Sequence, residues 1–342
     1  NYKELYKIEV SMKTNLFAIA ICIAFATSGC AKTESTDEKV DALIAKMTVQ
    51  EKAGQLNQYS GFEILTGDID DSKISERNER IKNGLLGSVL NVLGTEDVEK
   101  AQRYAVEQTR LGIPLIFAFD VIHGYRTIFP VPLAESASWD LEAIERSARI
   151  AAIEASAAGQ NWTFAPMVDI SHDPRWGRVM EGAGEDPYLG GKVAQARVRG
   201  FQGNDLSQPD TIAATAKHFA AYGEVIAGRE YNNVDISRRK LWETHLPPFK
   251  AALDAGIKTF MNAFNEFEGV PASANNYLID DILHYICSFS VFFTGFISTY
   301  AVKMGRFGFQ HFECGRENWP IIDASWKCGG YLRYDATLFD CE

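Results

Sequence analysis

The chain has 342 residues, 46% of them hydrophobic, and sets 45 acidic against 34 basic side chains for a formal net charge of −11. That length can bury one large core of about 250 residues with segments to spare. The acidic balance excludes a nucleic-acid-binding class, which needs a basic footprint for phosphate, and leaves neutral or weakly charged ligands open.

The first thirty residues read as an export segment. Residues 1–11 lie ahead of Met12 and are set aside as an extension before the start. Met12-Lys13 supplies a positive charge, Leu16 to Phe25 a short apolar core, and Thr27-Ser28-Gly29-Cys30 small residues before a cysteine. The apolar core is shorter than a membrane span requires. The Gly-Cys ending resembles a bacterial lipoprotein signal over 12–30. That resemblance implies Cys30 as the lipidated first residue of the mature chain, and a periplasmic, outer-membrane or cell-surface location; ordinary secretion is the alternative, since Thr27 stands where an aliphatic residue is more usual. Membrane contact is then expected only through the lipid.

Ala31 to Lys39 is polar and charged, and is expected to be a tether. From Val40 to Gln55 apolar residues recur at helical spacing, and Thr48 followed by Glu51 matches a capping box. Apolar runs then alternate with helical stretches. Strands are predicted at 85–90, 114–119, 162–168, 212–216 and 257–261, and helices at 95–109, 140–158, 187–201 and 237–255. Strands alternating with helices predict a parallel sheet with crossover helices, and near-continuous apolar strands predict burial on both faces. An open doubly wound sheet and a closed barrel both satisfy that pattern. No Gly-x-Gly-x-x-Gly opens a strand-helix unit, which weakens a dinucleotide-binding reading.

Between Ala31 and Ile286 there is no cysteine, and no Cys-x-x-Cys or His-Glu-x-x-His pattern occurs anywhere. An exported domain without disulfides relies on core packing, and neither a zinc site nor any cofactor is expected. Asp173 beside His172 reads as turn chemistry rather than metal ligation. The polar residues instead gather at strand ends. Asp120, Asp169, Lys217-His218 and Asn262 to Asn265 each fall at or just past the end of an apolar run. In a barrel those ends form one mouth, so residues distant in sequence converge. Each has a bland reading too: Asp120 as a helix cap, Lys217 as an exposed strand-end lysine.

Three stretches carry a family resemblance: Phe117-Ala118-Phe119-Asp120-Val121-Ile122-His123-Gly124, Asp173-Pro174-Arg175-Trp176-Gly177-Arg178, and Lys217-His218-Phe219-Ala220-Ala221-Tyr222-Gly223. Together they resemble the N-terminal catalytic domain of family 3 glycoside hydrolases, from Val40 to Leu283. The resemblance implies an α/β fold, a (β/α)8 TIM-type barrel incomplete at its C-terminal end. It implies a β-linked glucoside or xyloside oligosaccharide as partner, hydrolysed by a retaining mechanism. Asp120, Arg178, Lys217 and His218 are the implied sugar contacts, with Met261 and Phe264 as pocket wall. His123 and Trp176 are expected to be structural, and Arg175 the loop-stabilising partner of a carboxylate. The Pro-Gly-His-Gly-type loop of the hexosaminidase branch is absent, so β-glucosidase and β-xylosidase relatives fit better.

The pattern breaks after Leu283. The family's nucleophile is an Asp after Ser or Thr and before an aromatic. The nearest stretch is Gly295-Phe296-Ile297-Ser298-Thr299-Tyr300, with no Asp between Thr299 and Tyr300. In those relatives the acid/base Glu comes from a second domain. Residues 284–342 also hold four of the six cysteines and read as an aberrant tail. Translation out of frame, a divergent barrel end, and a membrane segment in the uncharged stretch Tyr285 to Val302 all remain open. Rival functions are a non-catalytic sugar-binding lipoprotein and, more weakly, a phosphate-handling lyase, against which the lack of a phosphate-cradling Gly-rich loop argues.

Overall fold

The structure, a computed structural model, describes residues 35–61, 71–283, 292–294 and 299–300. Cys30 with its export segment, residues 31–34 of the expected tether, and most of the 284–342 tail lie outside the described residues, as does the stretch 295–298.

Six parallel strands follow one another in chain order: β1 (Gln58–Ser60), β2 (Ser88–Leu90), β3 (Ile116–Phe119), β4 (Trp162–Thr163), β5 (Thr215–Phe219) and β6 (Thr259–Asn262). β1 to β4 pair in sequence, and parallel bridges Trp162 to Ala213 and Met167 to Lys217 carry the sheet from β4 to β5. β6 then pairs in parallel with Phe292–Thr294, which forms an antiparallel pair with Thr299–Tyr300. Every parallel neighbour is the next parallel strand in the chain, so the sheet winds in one direction. Right-handed crossovers then put all helices on one face, as in a (β/α)8 barrel. A doubly wound sheet would reverse its order part-way. The expected TIM-type fold is therefore the observed one, and the parallel strand at Phe292–Thr294 belongs to the sheet although it lies beyond Leu283.

The crossover helices form where caps and apolar stripes coincide. α6 (Leu141–Ala157) starts at Asp140, whose side chain accepts a hydrogen bond from the Ala143 N–H at 2.9 Å, and it buries Ile144, Ala148, Ala151, Ala152 and Ala155. α7 (Pro187–Gln202) starts at Asp186, which accepts from the Leu189 N–H, with Pro187 in the first turn. α6 and α7 pack closely because Gly200 carries no Cβ; one placed there would stand 2.4 Å from the Glu145 carbonyl oxygen. Inside the ring of strands, Ala118, Trp162, Phe164 and Met261 pack together. The Trp162 indole donates to Thr215 and Thr259, which ties β4, β5 and β6 at that level.

Several boundaries differ from expectation. The tether over 31–39 does not extend to Lys39. Ser35 and Glu38 form a capping box of their own and start α1 (Thr36–Ile44), and a second capping box at Thr48 and Glu51 starts α2 (Val49–Gln55). The strand expected at 212–216 lies at Thr215–Phe219, so Lys217 and His218 are inside the strand rather than just after it. Its register is set by Ala165 to Val168: Thr215 N–H donates to Ala165, and Lys217 exchanges bonds with Pro166 and Val168. The long helix is three segments, Arg238–Lys240, a π-helical turn Leu241–His245, and Leu246–Asp254. Sequence periodicity reveals α4 (Thr95–Gln108) but not β1, α3 (Asp71–Lys82), α5 (Pro132–Ala137) or the hairpin Glu266–Phe267 with Val270–Pro271. The unrevealed elements are short or largely polar, so they carry little apolar period.

Candidate active site

The C-terminal ends of β3 and β5 and the loop after β4 meet at one mouth. Asp120 follows β3 directly. Lys217, within β5, directs its ammonium to both Asp120 oxygens at 3.0 and 3.1 Å, with Glu181 at 4.0 Å. The Lys217 side chain is 2% exposed and that of Asp120 47% exposed, so the pair joins a buried cation to a carboxylate that still faces solvent. A cation held this deep requires a close anion. Asp120 therefore has a structural partner and an open side at once.

The loop between β4 and α7 supplies a second charged pair. Arg178 donates Nε and Nη2 to the two oxygens of Glu181, each at 2.8 Å, across a 3-10 turn over Val179–Glu181. Burial would raise the Glu181 carboxyl, but the Arg178 hydrogen bonds and the Lys217 charge outweigh it and hold the group below its ordinary range. For Arg178, burial works against the charge, yet Glu181 raises its affinity for the proton. Glu181 thus sits between both cations. Its position three residues after Arg178 is the one sign of this in the sequence.

His218 is oriented from behind. Its Nδ1 lies 2.8 Å from Asp169 Oδ2, and its main-chain N–H donates to the same oxygen at 3.0 Å. Burial pushes Asp169 up to about 7, against the lowering effect of the His218 backbone bond. Burial first, then the charges of Lys217 and Arg178, push His218 well below its ordinary value. The His218 ring meets Tyr222 edge-on at 5.3 Å and Phe264 at 6.1 Å. Phe264 also touches Tyr222 and Tyr231.

The remaining expectations separate into wall, scaffold and interior. Tyr222 donates its hydroxyl to Glu230 and packs edge-on against the buried Trp176. Gly228, at φ +65°, lets the chain pass against Trp176; a Cβ there would stand 2.7 Å from its main-chain nitrogen. Arg175 turns outward and closes its own loop on Asp173, whose carboxyl the Arg175 hydrogen bonds pull down to about 2. His123 Nδ1 lies 2.9 Å from the Phe129 carbonyl. Phe264 stands beside His218, whereas Met261 sits in the interior cluster with Ala118, Trp162 and Phe164.

Sequence reading missed a second polar group around Glu224. His172 Nδ1 lies 2.5 Å away, Lys240 donates at 2.8 Å, and His245 Nε2 stands 3.7 Å off. No combination of His, Cys, Asp and Glu suited to a metal ion occurs among the described residues. One side of the mouth therefore offers a carboxylate, an ammonium, a guanidinium and an imidazole. A carboxylate accepts from hydroxyls, and ammonium and guanidinium donate to them. That set suits a neutral ligand crowded with hydroxyl groups.

Comparison with known proteins agrees with that chemistry. A family-wide sequence pattern described as "Glycosyl hydrolase family 3 N terminal domain" matches residues 48–316, past the boundary expected at Leu283. A periplasmic beta-glucosidase of Salmonella typhimurium is 42% identical over 250 residues, covering 73% of this chain and 32% of that protein. A beta-xylosidase of Formosa agariphila is 34% identical over 251 residues, covering 70% and 34%. The crystal structure of a beta-glucosidase from Listeria innocua in complex with isofagomine superposes with a TM-score of 0.69 at 42% identity, covering 76% of this chain and 36% of that one. A mutant of the Listeria innocua beta-glucosidase was crystallised with laminaribiose and superposes with a TM-score of 0.70 at 41% identity, over 75% and 37%. The chain spans about a third of the length of these relatives. Barrel winding, mouth chemistry and the match over most of the sequence agree: this chain belongs to glycoside hydrolase family 3, and carries its N-terminal domain.

Proposed function

We propose that the full parent protein hydrolyses terminal β-linked glucosides or xylosides with retention of configuration, and that residues 1–342 hold the sugar-orienting half of that machinery. The observation that carries this reading is the convergence of Asp120, Arg178, Lys217 and His218 on one barrel mouth. Asp120 accepts from sugar hydroxyls on its open side while Lys217 and Arg178 donate, which fixes the ring against the site before bond cleavage. Retaining hydrolysis then needs two carboxyl groups about 5–5.5 Å apart, one attacking the anomeric carbon and one moving the proton. The stretch ending Thr299-Tyr300 has no Asp where the family resemblance puts the attacking group. We assign the acid/base Glu to a second domain of the parent protein.

A non-catalytic sugar-binding lipoprotein is the second reading, favoured by that same missing Asp. Calorimetric titration of the 342-residue chain with glucose and cellobiose, beside a nitrophenyl β-glucoside assay, tests both. The expected result is binding without turnover. A folded chain that binds neither sugar overturns the carbohydrate reading, and burst release of nitrophenol overturns the missing nucleophile. Resequencing the coding region separates enzyme from binding protein: an in-frame Ser or Thr, Asp and aromatic favours the enzyme.

A further inference from the structure

Deep in the mouth, one carboxylate oxygen receives two bonds from a single residue. Asp169 Oδ2 takes the His218 main-chain N–H at 3.0 Å and faces the His218 ring Nδ1 at 2.8 Å, with the Asp169 side chain fully buried and that of His218 1% exposed. Because the main-chain bond anchors that oxygen, the ring cannot turn away without leaving the carboxylate half-satisfied. The other Asp169 oxygen, Oδ1, has no hydrogen-bond partner, so the ring is the one side-chain group this carboxylate holds. An ionised carboxylate only accepts, so Nδ1 must carry the proton, and the neutral ring is then bare at Nε2.

We propose that Asp169 is a positioning residue that fixes the His218 tautomer, so that Nε2 meets the ligand as a hydrogen-bond acceptor while Lys217 and Arg178 meet it as donors. This rests on the sugar reading given above and deepens it: the hydroxyl against His218 must donate. The site would then demand a true hydroxyl at that position, because fluorine and hydrogen cannot donate.

The place of each proton decides what Nε2 offers. With one proton shared by the pair, it sits on Nδ1 and Nε2 is bare. A second proton taken by the ring gives imidazolium beside carboxylate and puts N–H on Nε2, whereas one taken by Asp169 on its unbonded Oδ1 leaves Nδ1–H and bare Nε2 in place. The groups facing the pair are Arg178 and Glu181 on the loop after β4, Lys217 on β5, Asp120 after β3, and His245 on the π-helical turn. Acidification turns the acceptor into a donor only once the ring itself is charged.

Long-range 15N–1H NMR of the ring nitrogens in the 342-residue chain, with His218→Gln used to assign the signal, reads this directly. At pH 8 the expected signal is protonated Nδ1 and bare Nε2. Asp169→Asn retains an oxygen acceptor without the titrating charge, so it should keep that tautomer and lose the proton uptake at Nε2 on acidification. Asp169→Ala should release the tautomer preference. In calorimetry at pH 8, one monofluoro-deoxyglucose and the deoxyglucose modified at the same carbon should both bind about tenfold more weakly than glucose. An Nε2–H tautomer at pH 8, or a spectrum unchanged in Asp169→Ala, overturns the proposal. If Asp169→Ala does not fold, the wild-type tautomer and the Asp169→Asn titration decide alone. The expected tautomer with no glucose binding would refute the sugar reading and leave the positioning role of Asp169 standing.

Discussion

Lys217 joins a stability cost to the binding role proposed for it, and the two are separable. Its ammonium is buried and answered by Asp120, with Glu181 at 4.0 Å. Removing Asp120 leaves that cation with one distant anion, whereas replacing the lysine by an apolar side chain of similar length leaves only a half-exposed carboxylate. Asp120→Ala is expected to lower stability by about 1–3 kcal/mol, discounted for the exposure of Asp120. Lys217→Met should cost less, and both should abolish glucose binding. Urea midpoints and calorimetry on the two variants separate the effects.

His245 carries a different prediction at the same scale. Neither ring nitrogen has a hydrogen-bond partner, and burial holds the group down to about 4. Its unfolded value is about 6.5, so the unfolded chain takes up this proton first as pH falls. The stabilising contribution is complete above about 6.5 and is lost on acidification toward 4, at up to about 1.4 kcal/mol per pH unit. Asp169 acts with opposite sign, its share being complete below about 4 and lost as pH rises through about 7. Between pH 6.5 and 4.5, wild-type chain should therefore lose stability relative to His245→Leu. Denaturation midpoints that move in parallel would refute this.

At the scale of elements, the short α5 matters more than its length suggests. Its Glu135 forms a buried ion pair with Arg197 of α7, and Arg197 also donates to the Ile122 carbonyl at 2.8 Å, two residues beyond Asp120. The pair thus ties two helices to the loop that follows Asp120. Glu135→Ala should cost about 3–5 kcal/mol, because it strands a buried guanidinium. The double variant Glu135→Leu with Arg197→Met should recover much of that stability while weakening glucose binding through the loosened loop. Thermal unfolding and titration of the two proteins check the expectation. The helices α6 and α7 were predicted nearly to their ends, since Asp140 and Asp186 cap apolar stripes. α3 and α5 were invisible because polar or very short helices are held by partners that lie elsewhere in the chain.

For the molecule as a whole, the export reading makes a claim that no fold can carry. Cys30 lies outside the described residues, and no helix among the described ones is long and apolar enough to cross a membrane. We propose that Cys30 is the lipidated first residue of the mature protein, attached to a bacterial membrane only through its acyl chains. Mass spectrometry of the protein from its host should find a lipid-bearing N-terminal cysteine. An unmodified peptide spanning Gly29 and Cys30 would refute it.

By itself the sequence determined the alternation of strands and helices, the lack of a metal-binding or dinucleotide-binding pattern, and which polar residues stand at strand ends. Those features are local: an apolar period, a cap, or a charged residue after a buried run is written within a few neighbouring positions. Tertiary structure alone decided that the strands wind in one direction, that Lys217 and His218 lie within β5, and that Lys217 answers to Asp120 and His218 to Asp169. It also decided that Met261 belongs to the barrel interior and that Glu181 sits between two cations. These pairings join positions up to 97 residues apart, fixed by strand register and by the need of each buried charge for a counter-charge. Apart from the three-residue spacing of Arg178 and Glu181, neither constraint leaves a mark on the neighbouring sequence.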